Sequence, residues 1–556
     1  MRQEPRRFSC LANMRLLLVC VLWINVLSTT TLSAQDGGAV KIRSDVRIVE
    51  VDVTVRDAQG LEAKDFTIID NGKPRPFTIF NSNGGASDTS SSIGQSASPV
   101  SSTPRPPLPP NTFTNAHVTA PPADGHSTIL LMDGVNGWFD TFAHGIQGVE
   151  GLMARLPPDE KIAVYVVAND LGLIVLQDYT TDRQRLKEKA ASFIPRGMKP
   201  APPSAGLDGS GMIDNARGGA PSNGVAPGSL KALGLSSLSV TSPAEQEFFM
   251  RRATETLRLS LNALAAKLRE LPGRKSVFWL TEGFPPAQLR NMDAAWDSTI
   301  AALNDANIQI NTVDADGLGG PVRLWGPGGI LAQQQMADRT GGTAYFHRND
   351  LDAAMASGIA DARSSYTLGF YLTQIDGKYH ELKVRVDRPG VQLNHRQGYY
   401  AQSEAVADLI GKKVDLEAAL LSPVDSTGVG ITASFDVASA SSRNILNAHL
   451  KLDPECLSMA KSGDGWAGQI EEIFVFFNEA GHEVGRQSDK KRFEITAAQK
   501  PRFDSTGVTL MLKVSMTAGA VRLRIIVRDT ASGRTGSLTV PLDQVSRWDA
   551  SGPAGH

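Results

Sequence analysis

Between residues 128 and 313, short apolar runs alternate with longer stretches in which apolar residues recur every three or four positions, and few folds accommodate that alternation. Thr128-Ile129-Leu130-Leu131-Met132 stops at Asp133. Trp138, Phe142, Ile146, Val149, Met153 and Leu156 then keep the spacing of a helix with one buried stripe. Runs at 162–167 and 171–176 read as strands, and Thr181-Asp182-Arg183-Gln184 has the form of a capping box, with Thr181 as the cap. Ser242 before Pro243, with Glu245 following, opens another helix. Its stripe is Leu257, Leu261, Leu264, Leu268 and Leu271, and Pro272-Gly273 ends it. Strands at 276–280 and 308–313 enclose a helix over about 289–306. Strands separated by helices imply a mainly parallel, doubly wound α/β sheet with right-handed crossovers, expected over 127–362.

The flanks read differently. Residues 46–55 alternate apolar and polar, and 66–69 and 77–80 follow after turns, which predicts a small β-unit over 40–80. Nine Ser between 82 and 102 and six Pro between 99 and 110 predict a linker over 81–126, because such a segment buries too little apolar surface to order itself. Eight Gly and six Pro within 195–229 predict a long insert at about 195–241. Strands at 366–372 and 382–386, closing near Tyr399-Tyr400, are expected as terminal β-hairpins that extend the α/β domain to 402. Alternating runs from 430 to 527 predict a β-sandwich-like domain over 403–556.

The first 34 residues have the form of a secretory signal: Arg2, Arg6, Arg7 and Arg15 precede an apolar run at 16–27, and Ala34 offers a cleavage point. The run is short for a membrane span, so an extracytoplasmic location with no stable span is expected: periplasm, cell surface or medium. Residues 1–34 carry four Arg and one Glu, so their removal takes the formal charge from −2 to −5, which argues against a nucleic-acid partner. Of three cysteines, Cys10 and Cys20 leave with the leader. Cys456 stays, without an internal partner, and is expected as a buried thiol.

Ligands of open parallel sheets sit beyond the carboxyl ends of the strands, and three strands here finish at acids: Asp133, Glu282 and Asp314. Oxygen donors gathered at one edge suit a hard cation such as Mg²⁺. At this point the chain resembles a family. The strand ending in Asp133, Leu156-Pro157-Pro158-Asp159-Glu160-Lys161, Asp178-Tyr179-Thr180-Thr181-Asp182 and Leu271-Pro272-Gly273-Arg274-Lys275 running on to Glu282-Gly283-Phe284-Pro285 are similar to von Willebrand factor type A-related proteins of the acidobacterial type. Tyr366-Thr367-Leu368-Gly369-Phe370-Tyr371, Arg388-Pro389-Gly390 and Gly398-Tyr399-Tyr400 match the same family, as does Asp70-Asn71-Gly72, so the resemblance spans about 40–402.

The resemblance implies a domain that binds a protein partner through a cation held by D-x-S-x-S, a Thr and a later Asp. This chain departs from that pattern. Val135 and Gly137 replace the two serines, Glu282 stands for the Asp, and no Thr can be placed. Asp133, Glu282 and the amide oxygen of Asn136 are the remaining candidate metal ligands. Asp208-Gly209-Ser210-Gly211 continues with Met212 and reads as loop.

No H-E-x-x-H, C-x-x-C, phosphate-cradling loop or G-x-S-x-G stands where it would need to, and Gly326-Pro327-Gly328-Gly329 reads as a turn. His347, His380 and His395 read as surface or hydrogen-bonded residues. Cys456 and His482 lack any group to orient them. The expected function is an exported protein-binding or adhesion module with a degenerate cation site, not an enzyme, and its partner is unknown. A hydrolase using Asp133, Glu282 and Asp314, or a structural envelope protein, are the alternatives.

Overall fold

The computed structural model describes residues 47–56, 58, 60–82, 108–115, 126–136, 139–168, 172–193, 243–269, 271, 273–284, 294–317, 326–422, 424–437, 445–479 and 481–545. Residues 1–46, including the expected signal segment with Cys10 and Cys20, most of the Ser/Pro segment and the Gly/Pro insert with Asp208 lie outside these residues.

The architecture is mixed α/β with several sheets. Six strands form the central one, in the order Ala344–Tyr345, Ile308–Asp314, Arg274–Thr281, His126–Gly134, Ile162–Ala168, Gly172–Thr180. Neighbours run parallel except the last pair, which is antiparallel. The apolar runs are continuous because both faces are covered. On the strand His126–Gly134, Ile129 and Leu131 enter one core with helices Pro243–Arg269, Ala294–Asp305 and Gly326–Thr340. Leu130 and Met132 enter the other with Phe139–Arg155, Arg183–Ser192 and Leu351–Arg363. Each fully buried Leu or Ile contributes roughly 1.5–3 kcal/mol. The chain winds outward from His126–Gly134 to one side, then crosses back to Arg274–Thr281 on the other. The crevice between those two strands is therefore where strand order reverses.

Several boundaries differ from the sequence expectation. The strands at 48–82 do not form a unit of their own, and the hairpins expected at the end of the α/β domain do not belong to its sheet. Ile48–Arg56 pairs with Ser365–Tyr371, setting Val51 opposite Leu368, and Phe66–Asp70 pairs with Tyr379–Val386. Two four-stranded sheets result, sharing a core of Val51, Val53, Phe66, Leu368 and Phe370. The reason is surface: a few short strands cannot bury their apolar faces alone.

The linker is likewise interrupted. Thr112–Thr114 adds an edge strand to Ile431–Val437. Asn115, fully buried, holds it there: its Nδ2 donates to Ser426 O and Val429 O at 2.8 and 2.9 Å, and its Oδ1 accepts from Ile431 N at 2.7 Å.

Residues 403–556 hold two antiparallel sheets around one core, but also a helix, Glu404–Leu421, that the strand pattern did not predict. Ser403 caps it, accepting from Val406 N. Val414 and Ala418 face the α/β core, while Ala419 packs on Ile473, Val475 and Ile526 of the β-region. Buried Arg524 donates to Ala419 O and, at 2.9 Å, to Val424 O, filling a carbonyl left open at the helix end. Two smaller corrections follow the same logic of caps. Asp182, not Thr181, caps Arg183–Ser192, accepting from Arg185 N at 3.0 Å. Gly326-Pro327-Gly328-Gly329 is not a free turn but the opening of the helix Gly326–Thr340.

Candidate functional site

The three acids expected at the carboxyl edge are placed there and are buried: Asp133 at 4%, Glu282 at 2% and Asp314 at 0% exposure. Asp133 and Glu282 meet at the switch point and line one small void with Thr141, Thr281 and Gly145. Asp314 ends the next strand and does not line it; its Oδ1 accepts from Asp316 N at 3.3 Å.

Asp133 is engaged by its own neighbourhood. Its Oδ1 accepts from the backbone N–H groups of Val135 and Asn136, both at 2.9 Å, which folds the chain tightly after the strand. Its Oδ2 accepts from Thr281 Oγ1 at 2.8 Å and from Asn136 Nδ2 at 3.2 Å. Burial pushes the Asp133 carboxyl above the usual carboxylate range, and these donors pull against that shift. Thr281 in turn accepts from Gly283 N at 3.1 Å, and Glu282 accepts from Thr141 Oγ1 at 3.2 Å. Gly283 has φ of +120°, and a Cβ there would lie 2.9 Å from Gly329 Cα, so only glycine lets the loop after Glu282 meet the helix that starts at Gly326.

These residues do not form the donor set that Mg²⁺ takes. Octahedral Mg²⁺ needs open oxygen lone pairs at about 2.0–2.1 Å and usually keeps several waters. The void measures about 10 Å³, room for one water at most. Both Asp133 oxygens already face N–H or O–H donors. Asn136 Oδ1 is buried without a hydrogen-bond partner, so one candidate ligand does hold an open acceptor, but Asn136 does not line the void with Asp133 and Glu282. Among the described residues no three His, Cys, Asp or Glu side chains gather to share a metal.

No protein-family model matches the chain, and no curated protein matches it. Solved structures with partial similarity include an aerotolerance-related membrane protein of Bacteroides fragilis (13% identity, 43% of this chain, 98% of that one, TM-score 0.24). BatB of Bacteroides thetaiotaomicron is comparable (14%, 43% and 98%, TM-score 0.23). A von Willebrand factor type A protein of Catenulispora acidiphila covers more of the chain (10% identity, 76% and 69%, TM-score 0.20). Similarity at these values assigns no family.

Sequence reasoning found Asp133 and Glu282 but not their threonine partners. Thr141 lies on a helix whose apolar stripe drew attention to its neighbour Phe142, and Thr281 reads simply as a β-branched strand residue. Two histidines reach this edge: His144, its Nδ1 2.8 Å from Ala315 O, and His347, just past the strand Ala344–Tyr345; His380 and Cys456 stand apart from it. His380 is buried, its Nδ1 2.9 Å from Asp70 Oδ1, while Tyr399 donates to Asp70 Oδ2 at 3.0 Å. Cys456 is half-buried against the C-terminal core rather than fully enclosed.

Proposed function

We propose that the chain is an extracytoplasmic binding module of the von Willebrand factor A type, which presents the carboxyl-edge loops of its six-stranded sheet to a protein partner without a resident cation. The observation that carries this reading is the saturation of Asp133. At the switch point, where such sheets take their ligands, the residue best placed to hold a metal instead accepts from Val135 N, Asn136 N, Asn136 Nδ2 and Thr281 Oγ1. It fixes the chain at Val135 and Asn136 instead of completing a metal's shell. The same packing speaks against a hydrolase at Asp133, because the void beside it admits no substrate. Among the described residues no helix is long and apolar enough to cross a membrane.

The test uses residues 35–556, immobilised and exposed to envelope and secreted fractions, with Mg²⁺ or with EDTA. A partner retained equally in both, and lost in His347→Glu, an exposed position just past the carboxyl end of Ala344–Tyr345, in a chain that still melts normally, supports the proposal. Capture that needs Mg²⁺, or survives His347→Glu, overturns it. Calorimetric titration with Mg²⁺ and Mn²⁺ is expected to be flat for wild type and for Glu282→Ala alike.

A further inference from the structure

A cavity of about 860 Å³ lies at the opposite, amino edge of the central sheet. Its volume falls in the range of small-molecule sites, which favour junctions of this kind. Arg274 and Ile308 at the strand starts form one wall, the strand start Ile48–Glu50 and the segment Gly398–Tyr400 form another, and Lys412 and Arg534 close the third. Residues of two separately packed cores, Ile300 and Ile308 of one and Val49 and Tyr399 of the other, therefore border one space with Ser532, Gly533 and Arg534.

Charge gives the cavity its character. Among the residues lining it, seven carry Lys or Arg and four Asp or Glu; Arg339 is paired outside the lining with Asp297 at 3.1 Å, which leaves an excess of two positive charges in a chain whose formal charge is negative. Two of the acids are already paired: Asp305 with Arg47 at 2.6 Å and Asp415 with Arg269. Asp52 accepts from Thr367 Oγ1 at 2.6 Å, and partial desolvation together with Asp52 raises the Glu50 carboxyl against the pull of Arg396.

The cations of the inner wall are under-compensated. Arg274, 4% exposed, donates through Nη2 to Thr54 and Gln309, yet its Nε and Nη1 have no acceptor. Arg396 donates through Nη2 to Glu50 O at 2.6 Å, and its Nε has none. These nitrogens are covered by protein, so they act on the adjoining space through their positive field and not by direct contact; a buried guanidinium without full compensation is costly, and an anion in that space offsets part of the cost.

The rest of the lining selects among anions. Asn304, Asn307 and Gln402 offer amides for hydroxyl groups, and the edge-to-face pair Tyr379 and Tyr400, 5.4 Å apart with Arg339 over the Tyr379 ring, offers apolar surface for C–H groups. Asp52 repels a polyphosphate but accepts from a hydroxyl. We infer that this cavity binds a carboxylate-bearing, hydroxyl-rich small molecule of the uronic-acid sugar class, with the positive field of the arginine wall and the rim cations Lys412 and Arg534 drawing the carboxylate. The inference is independent of the carboxyl-edge reading, since the two sites share no residue.

Calorimetry on residues 35–556 tests it with three probes: trigalacturonate, neutral maltotriose and inorganic phosphate. Trigalacturonate is expected to bind with a Kd of about 1 mM or tighter, and maltotriose and phosphate at least about tenfold more weakly. The double variant Lys412→Gln/Arg534→Gln changes only the rim, so the chain keeps its melting temperature while affinity drops about tenfold. Arg274→Met, where it folds by circular dichroism, loses binding altogether. No heat with trigalacturonate, equal binding of maltotriose or phosphate, or unchanged affinity in the rim variant each overturns the inference.

Discussion

The two edges of the central sheet are built from opposite charges and treat them oppositely. At the carboxyl edge, Asp133 and Glu282 are buried and answered by protein donors, with about 10 Å³ left between them. At the amino edge, Arg274 is equally buried but two of its nitrogens go unanswered, beside about 860 Å³ of open space. Burial alone therefore does not mark a ligand site. What separates the two is whether the fold has already supplied the counterpart, and a group whose hydrogen-bonding capacity is spent holds its own loop together.

The largest effect that contrast implies is on stability at the carboxyl edge. Asp133→Ala removes the acceptor for four donors and leaves buried N–H groups without partners, so it is expected to cost about 3–5 kcal/mol, read as a lower urea midpoint. The loss should be the same in Mg²⁺ and in EDTA. A stability difference that appears only with Mg²⁺ present would break the contrast, because Asp133 would then be holding a metal.

Next in size is a group near the amino edge. Lys275 is 2% exposed, donates to Leu271 O at 2.9 Å, and burial lowers its amine to about 8, with Arg269 adding to the shift and Asp52 opposing it. The folded amine thus titrates below the unfolded one at 10.5. Below pH 8 both states are protonated and the folded state carries the full penalty of a buried charge. Between about 8 and 10.5 the unfolded chain binds the extra proton, so this group makes stability rise with pH. The span corresponds to roughly 3 kcal/mol. Lys275→Met should remove that rise and stabilise the protein near neutral pH; an unchanged pH profile in the variant would show that the amine is not held in the apolar setting described.

Much of this frame was legible in the sequence. The helix stripe from Phe142 to Met153 and the strands ending at Asp133, Thr281 and Asp314 follow from local periodicity, which is a property of neighbours along the chain. The partnership of Ile48–Arg56 with Ser365–Tyr371 was not legible, because strand pairing joins residues far apart and leaves no mark in either segment alone. The helix Glu404–Leu421 was missed for a related reason: it is apolar toward both the α/β core and the β-region, so its stripe is split. Asp133 and Glu282 were visible as strand-end acids, whereas their saturation by Thr281 and Thr141 depends on sheet order. The amino-edge cavity could not be found from sequence at all, since Arg47, Arg274, Arg396 and Arg534 come together only in three dimensions.

A finer probe of the carboxyl edge is Thr281→Val, which keeps the branched shape and removes one donor to Asp133 Oδ2. Gly283 N loses an acceptor in the same change. The expected cost is about 1–2 kcal/mol, smaller than for Asp133→Ala because three donors to the carboxylate remain.

The smallest effect belongs to the amino edge and is the sharpest discriminator. Arg534 lies on a turn beside Lys412, exposed, with only a 3.4 Å contact from Nη1 to Glu455 O and none to an acid. Arg534→Gln is expected to change stability by no more than about 0.5 kcal/mol, as for surface positions generally. If the amino edge is an open site, that silent substitution must still weaken a carboxylate ligand. If Arg534→Gln instead destabilises the chain as Thr281→Val does, its charge is spent within the fold, and the two edges of the sheet are alike after all.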